Sequence, residues 1–234
     1  MNLSLVIPCF NEADNVAQMR GQLSQIRPQL ERVGSFELVL VDDGSTDDTY
    51  ARLTEAFADW DNTLIAKHER NRGLGAALRT GFQHARGEVI VTTDSDGTYP
   101  FTTIPAMLSL LQPGVDIVTA SPYHPDGGVD GVPAYRLLFS KGASAMYRAY
   151  RREVIERIPT SSDGFLMVTE LLVGALLAGY RAAEYPAVLR VRRYGQSKAR
   201  VWQITRAHLR FQAHVLARRV AGVGRLARGA RGAS

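Results

Sequence analysis

The sequence predicts an α/β domain with a mostly parallel sheet flanked by helices, and three observations carry that prediction. Short aliphatic and β-branched runs alternate with segments whose apolar residues recur at helical spacing. The helical segments are long enough to act as right-handed crossovers between parallel strands. Acidic or polar turns follow successive strands, at the edge where open α/β sheets gather their ligands.

At 234 residues and 45% hydrophobic content, the chain fits one large α/β domain, or one domain with a short appendage. A single cysteine, Cys9, excludes an intrachain disulfide framework and suits a reducing compartment. The opening Met1–Pro8 lacks the basic flank of a secretory signal and runs directly into a strand. The most apolar stretch, Gly164 to Tyr180, contains Glu170 and is shorter than the ~20 residues of a membrane span, so it reads as a buried helix.

The elements follow in order. Leu3–Pro8 is a first strand, which Pro8 is expected to stop. Asn11 through Arg27 has helical spacing at Val16, Met19, Leu23 and Ile26. Phe36–Val41 is a second strand that ends in Asp42-Asp43-Gly44-Ser45. A helix follows, capped near Ser45 or Thr46, with Tyr50, Leu53, Ala56 and Phe57 on one face. Thr63–Ala66 is a short third strand, and Asn71–Gly75 opens a helix through Ala77, Leu78, Gly81 and Phe82. Glu88–Thr93, rich in β-branched residues, reads as a buried strand giving way to Asp94-Ser95-Asp96-Gly97.

Parallel strands all end on one edge, so Pro8–Glu12, Asp42–Ser45 and Asp94–Asp96 converge on one crevice. Asp94 and Asp96, one residue apart, form a hard oxygen site suited to Mg²⁺ or Mn²⁺ carrying a substrate diphosphate. Acidic groups in the earlier turns can accept from ribose hydroxyls or a base edge. From the residues alone this is a nucleotide and metal site. Cys9 reads as a packed small residue and not a nucleophile. His68, His84, His124, His208 and His214 show no metal-ligand spacing.

Four segments, VIPCFNE (Val6–Glu12), VDDGSTDDT (Val41–Thr49), NRGLGAALRTGF (Asn71–Phe82) and DSDGTYP (Asp94–Pro100), together resemble family 2 glycosyltransferases of the Rossmann-like GT-A fold. Within that family the chain looks most like polyprenyl-phosphate sugar synthases of the dolichyl-phosphate mannose synthase type. Three later segments resemble that subgroup: Ser121-Pro122-Tyr123-His124-Pro125 with Gly127-Gly128, Arg136 to Ala143, and Arg192 to Lys198. The resemblance implies inverting transfer of a hexose from a nucleotide diphosphate sugar to a polyprenyl phosphate. GDP-mannose is the favoured donor and UDP-glucose a second candidate. It implies that Asp94 and Asp96 hold Mg²⁺ or Mn²⁺ and, with Arg136 and Arg192, carry catalysis. Pro8, Phe10, Glu12, Val41, Asp42, Asp43 and Ser95 are then expected on the donor, and Ser140, Ser197 and Lys198 complete the binding set.

Three departures stand out. Thr98 occupies the place of a common metal-contacting Gln, and Pro122 replaces an Arg of the phosphate-binding loop. Gly142 to Arg148 runs almost directly into Ala149-Tyr150-Arg151-Arg152-Glu153, where the family inserts a longer segment. Either part of an acceptor loop has been lost or the sequence lacks residues of the full protein, and the second is our expectation; an intact mass of 25.7 kDa would overturn it.

A phosphate monoester has a second pKa of about 6, so such an acceptor is already anionic and needs no general base. Positioning by the planar fork of Arg136 and Arg192, with Ser140, is the work left to the protein. Glu170 and Asp163 read first as structural or solvated carboxylates, and are the fallback bases if the acceptor is an alcohol. The net charge of +5 is concentrated late: from Ala187 to Ser234 there is no Asp or Glu but a long series of Arg residues. Residues 1–198 are expected to form the catalytic domain and 199–234 an amphipathic basic C-terminal helix and tail. Val201, Trp202, Ile204, Leu209, Phe211, Val215 and Leu216 give that helix an apolar face suited equally to a membrane interface or to docking on its own domain. The membrane reading predicts a cytoplasmic enzyme held peripherally on the inner face of the cell membrane. Nucleic acid is not expected as a partner, because no recognition module accompanies the basic tail. The competing readings are a family 2 transferase acting on a soluble or polysaccharide hydroxyl, and a non-catalytic nucleotide-sugar-binding protein.

Overall fold

A computed structural model describes residues 2–130, 146–190 and 206–213. The chain divides into two compact units, Met1–Gln196 and Ser197–Ser234. In the first, the strands are β1 (Leu3–Cys9), β2 (Phe36–Asp42), β3 (Thr63–Lys67), β4 (Val89–Thr92), β5 (Ile117–Ser121), β6 (Gly128–Asp130), β7 (Arg148–Arg151), β8 (Ala182–Pro186) and β9 (Val188–Arg190). The helices are α1 (Val16–Val33), α2 (Thr49–Ala56), α3 (Leu74–His84), α4 (Ile104–Ser109), α5 (Arg152–Arg157) and α6 (Leu166–Leu177).

Seven strands form the main sheet in the order β3-β2-β1-β4-β7-β5-β8. All pairings are parallel except those of β7, which runs against both β4 and β5. The expected mostly parallel sheet is therefore present, with one reversed strand inserted. Strands β6 and β9 pair separately. β1 is buried along its whole length because both faces are covered. Alternate residues serve opposite layers: Leu5, Ile7, Leu38 and Leu40 join Leu23, Ile26 and Leu53 on one side. Val6, Val39, Val41 and Ile90 join Ala77, Leu78, Met167 and Val168 on the other.

Two boundaries correct the sequence reading. β1 continues through Pro8, whose partner in β2 is Val41. Pairing with β4 ends at Val6 and Thr92, and the Val6 carbonyl accepts from Thr93 while that of Cys9 accepts from Asp43. By alternation the Pro8 nitrogen faces the β4 side beyond the last ladder bond, so its missing N–H costs nothing there. α1 likewise passes Pro28 and runs to Val33, with Leu30 fully buried on its core face.

The Gly164–Tyr180 stretch forms α6, half-covered near its C-terminus, where Leu176 and Leu177 are exposed. Among the described residues no helix is long and apolar enough to cross a membrane. Of the expected C-terminal helix, residues 206–213 are helical, with Leu209 exposed; the rest lies outside the described residues, as does the 131–145 segment.

Candidate nucleotide and metal site

The first two strand ends are sewn together by Asn11. Its backbone sits in the left-handed region at φ 52, uncommon for a residue with a side chain. There its N–H donates to Ser45 Oγ at 2.8 Å, and its Oδ1 accepts the Thr46 N–H at 2.7 Å. Next along, the Glu12 N–H donates to Thr49 Oγ1 at 2.7 Å, and the Glu12 carboxylate accepts from the Asn15 amide. Ser45 and Thr46, expected to cap α2, are thus committed to the β1 loop, and α2 starts only at Thr49. The hydroxyls that suit a cap also suit a loop clasp.

The adjacent carboxylates of the second strand end differ. Asp42 is fully buried; its Oδ1 accepts the Ser45 N–H at 3.2 Å, and its Oδ2 has no hydrogen-bond partner among the described residues. Asp43 points to the α3 side. Its Oδ1 lies 2.6 Å from His68 Nδ1 and accepts the Arg72 N–H at 3.0 Å, while its Oδ2 accepts the Gly73 N–H at 2.8 Å. His68 had no motif to mark it, and its partners are distant in sequence. An acid-rich turn on the neighbouring strand is the only clue the sequence offered.

Cys9 lies where the first, second and fourth strand ends meet. Burial, chiefly, and then the Glu12 carboxylate push its thiol up; a hydrogen bond with Ser95 works the other way, and Asp42 adds to the rise. Residues from three separate strand ends, Glu12, Asp42 and Ser95, thus act on this one thiol. The thiol stays protonated and buried, in keeping with a packing role.

The third turn follows β4. Asp96 is buried and its Oδ1 accepts the Thr98 N–H at 2.9 Å, while Asp94 is half-buried. Gly97 adopts φ 71, the left-handed conformation that favours glycine, so the turn after the carboxylate pair calls for glycine on backbone grounds. The Thr98 carbonyl accepts from Arg190, tying β9 to the turn. No group of three or more His, Cys, Asp or Glu able to hold a metal occurs among the described residues. Two hard carboxylates fit a divalent ion that takes its remaining ligands from a diphosphate and water, as Mg²⁺ and Mn²⁺ sites on phosphate substrates do.

Of the other expected donor residues, Pro8 is in β1 and Phe10 is half-buried at its end. The Val41 side chain is buried in the same apolar layer as Val6 and Leu78. Arg136, Ser140, Arg192, Ser197 and Lys198 lie outside the described residues. Both fallback bases are engaged in holding structure. The Glu170 carboxylate accepts the Ser161 and Ser162 N–H groups at 2.9 and 3.0 Å and the Ser161 hydroxyl at 3.1 Å. The Asp163 side chain pairs with Arg79, and its carbonyl accepts the Gly75 and Ala76 N–H groups at the start of α3. Arg148, a buried cation missed in the sequence, sits opposite Thr92 and donates to Thr119 Oγ1 at 3.2 Å and the Val168 carbonyl at 2.6 Å.

A mostly parallel sheet with one reversed strand, carrying acidic turns and the Asp94/Asp96 pair after its parallel strands, is the GT-A arrangement. The family model for glycosyl transferase family 2 matches residues 4–162, and the chain belongs to that family. It is 33% identical over 216 residues to the polyprenol monophosphomannose synthase of Mycolicibacterium smegmatis, covering 83% of this chain and 79% of that protein. It is 30% identical over 215 residues to the dolichol-phosphate mannosyltransferase of Pyrococcus furiosus, covering 85% of this chain but only 59% of that relative. Among solved structures, a mannosyltransferase from Pyrobaculum calidifontis in complex with GDP-Man and Mn²⁺ matches with TM-score 0.65 at 24% identity, over 93% of this chain and 64% of that one. Glucosyl-3-phosphoglycerate synthase from Mycobacterium tuberculosis, with Mn²⁺ and UDP, matches with TM-score 0.61 at 22% identity, over 83% of this chain and 72% of that one. These structures share the fold.

Proposed function

We propose that this chain moves a hexose from a nucleotide diphosphate sugar onto a polyprenyl phosphate, with GDP-mannose the favoured donor and UDP-glucose the second candidate. The observation that supports the reading is the way three strand ends are tied together: Asn11 and the Asp43 N–H, which donates to the Cys9 carbonyl, join β1 to the turn after β2, and the Thr93 N–H, which donates to the Val6 carbonyl, joins β1 to the strand that leads into Asp94 and Asp96. Relatives named for mannosyl transfer to dolichol phosphate and polyprenol phosphate support the acceptor class.

In the proposed step an acceptor phosphate oxygen attacks the anomeric carbon as the bond to the donor's diphosphate breaks. The leaving nucleoside diphosphate keeps the bonding electrons, and the configuration inverts. Asp94 and Asp96 would hold Mg²⁺ or Mn²⁺, which when bound supplies Lewis-acid stabilisation of the diphosphate's growing charge. Asp42 and Glu12 line the nucleoside end, and the Asn11 clasp holds their loops at fixed spacing. No carboxylate need take a proton, since a phosphate monoester with a second pKa of about 6 arrives as an anion. That fits the commitment of Glu170 and Asp163 to the Ser161–Asp163 turn. Arg136 and Arg192, with Ser140, Ser197 and Lys198, are assigned to the acceptor phosphate. The basic segment after Lys198 is assigned to peripheral contact with the inner face of the cell membrane, where a lipid phosphate is met.

The test is transfer of labelled sugar from GDP-mannose and UDP-glucose to polyprenyl phosphate, with and without Mn²⁺ or Mg²⁺, followed by organic extraction. Metal-dependent label in the organic phase supports the proposal and names the donor. Donor hydrolysis or binding without extractable label contradicts the acceptor assignment.

A further inference from the structure

His68 is buried, and both of its ring nitrogens are engaged. Nδ1 lies 2.6 Å from Asp43 Oδ1 and Nε2 lies 2.9 Å from Thr80 Oγ1 on α3. Its backbone N–H donates to the Asp42 carbonyl at 2.9 Å, extending the β3 ladder to the end of β2. Against a carboxylate partner the Nδ1 atom must carry a proton, so it donates to Asp43. The same carboxylate accepts the Arg72 and Gly73 N–H groups. One carboxylate thus joins three places: the end of β2, the residue after β3, and the loop that opens α3.

That loop lies against the donor crevice. Gly44, at φ 69 in the Asp42–Ser45 turn, approaches the backbone of Arg70 and Asn71 so closely that a Cβ would stand 2.5 Å from Asn71 N. The Asp42–Ser45 turn is in turn fastened to Asn11. A shift of Asp43 would therefore be passed to the 70–73 loop and, through the Gly44 contact, to the turn that holds Asp42. Among the described residues, the ionisable partner of the His68 ring is Asp43.

We propose that His68 is a positioning residue for the donor: it fixes the Asp43 carboxylate, which holds the 70–73 loop against the nucleotide end of the crevice. The chain His68–Asp43–Arg72/Gly73 sets loop position and touches no reacting atom. This rests on the reading of the crevice as a nucleotide site.

The two ends of the ring separate experimentally. An asparagine at this position places its amide nitrogen near Nδ1 and can still donate to Asp43. A glutamine reaches toward Nε2 and Thr80 and abandons Asp43. Binding of GDP with Mn²⁺, and of UDP with Mn²⁺, is measured by calorimetry for wild type, His68→Asn and His68→Gln. Amide hydrogen exchange at Arg72 and Gly73 is followed in the unliganded proteins. The proposal expects His68→Gln to weaken nucleotide binding about tenfold or more, the loss of a charge-assisted hydrogen bond, while His68→Asn stays within about threefold of wild type. Exchange at Arg72 and Gly73 should accelerate in His68→Gln and not in His68→Asn.

Equal affinities and equal exchange in the two variants, at whatever melting temperature, would overturn the proposal and leave His68 as core filling. A wild-type chain that binds neither GDP nor UDP overturns the nucleotide reading, and the donor role of His68 falls with it even where exchange follows the predicted pattern. If His68→Gln does not fold, His68→Leu serves in its place. It fills the site while removing the donor to Asp43, and a rise in Kd of about tenfold or more is expected, with faster exchange at Arg72 and Gly73. An unchanged Kd there counts against the proposal.

Discussion

Replacing Glu170 by glutamine separates a structural carboxylate from a catalytic one. In the native chain Oε2 accepts two backbone N–H groups, from Ser161 and Ser162, and Oε1 accepts the Ser161 hydroxyl. A glutamine can present its oxygen to the two amides and let its NH₂ donate to Ser161 Oγ, so every partner stays bonded. The loss is the charge assistance, about 1 kcal/mol or less at this half-exposed site. Alanine removes all three bonds, at about 1–3 kcal/mol, and for a chain of this size each kcal/mol lowers Tm by roughly 2–4 °C. The turn also presents the Asp163 carbonyl to Gly75 and Ala76, so the alanine variant should loosen the start of α3 as well. The assay pairs thermal melts with steady-state sugar transfer. Glutamine should keep kcat within about twofold, whereas loss of a general base costs roughly 10²–10⁴. A kcat loss of that size in a glutamine variant with an unchanged Tm would refute the structural assignment and revive the alcohol-acceptor reading.

Further outcomes follow from the same geometry. Asp96→Asn keeps an oxygen for the Thr98 N–H, so the fold should survive while Mn²⁺-dependent turnover drops about a hundredfold or more; equal rates in the variant and wild type would remove Asp96 from the metal site. Gly75→Ala should cost roughly 1–3 kcal/mol or more in denaturant melts, since its Cβ meets the Ser162 carbonyl oxygen and comes 2.9 Å from the Asp163 carbonyl carbon, and a neutral result would contradict the α3–turn packing. The Cys9 thiol, pushed up by burial and the Glu12 carboxylate, should resist alkylation in the native state. The unfolded chain releases that proton near pH 8.5 and the folded chain does not, so the contribution of Cys9 is fully present below about pH 8.5 and falls by up to about 1.4 kcal/mol per unit above it. Rapid native labelling at pH 7 would contradict the burial of Cys9.

The strands that lead into Glu12, Asp43 and Asp96 were legible because each is a short β-branched or aliphatic run closed by turn residues, and parallel topology then puts their ends on one edge. β7 was not legible as a reversed strand: Arg148–Arg151 has four residues, two of them charged, and its burial comes from insertion between β4 and β5. Pro8 misled for a local reason, since proline stops a strand only where its nitrogen faces a partner. Ser45 and Thr46 misled because a cap and a loop clasp use the same hydroxyls. His68 escaped notice because its role is made by Asp43 and Thr80, and no spacing within one segment encodes a contact between β2, β3 and α3. Glu170 and Asp163 read as structural or solvated carboxylates, but their partners, Ser161 and Ser162 for one and Arg79 for the other, were not legible in the sequence.

The central claim, a phosphate acceptor at a site with no dedicated base, is tested most directly by an acceptor pair. The enzyme is given GDP-mannose, Mn²⁺ and either polyprenyl phosphate or the same polyprenol without its phosphate, and lipid-linked sugar is counted. The account predicts product from the phosphate alone, with the sugar configuration inverted. Comparable transfer to the alcohol would contradict it and send the search back to a proton acceptor at the crevice.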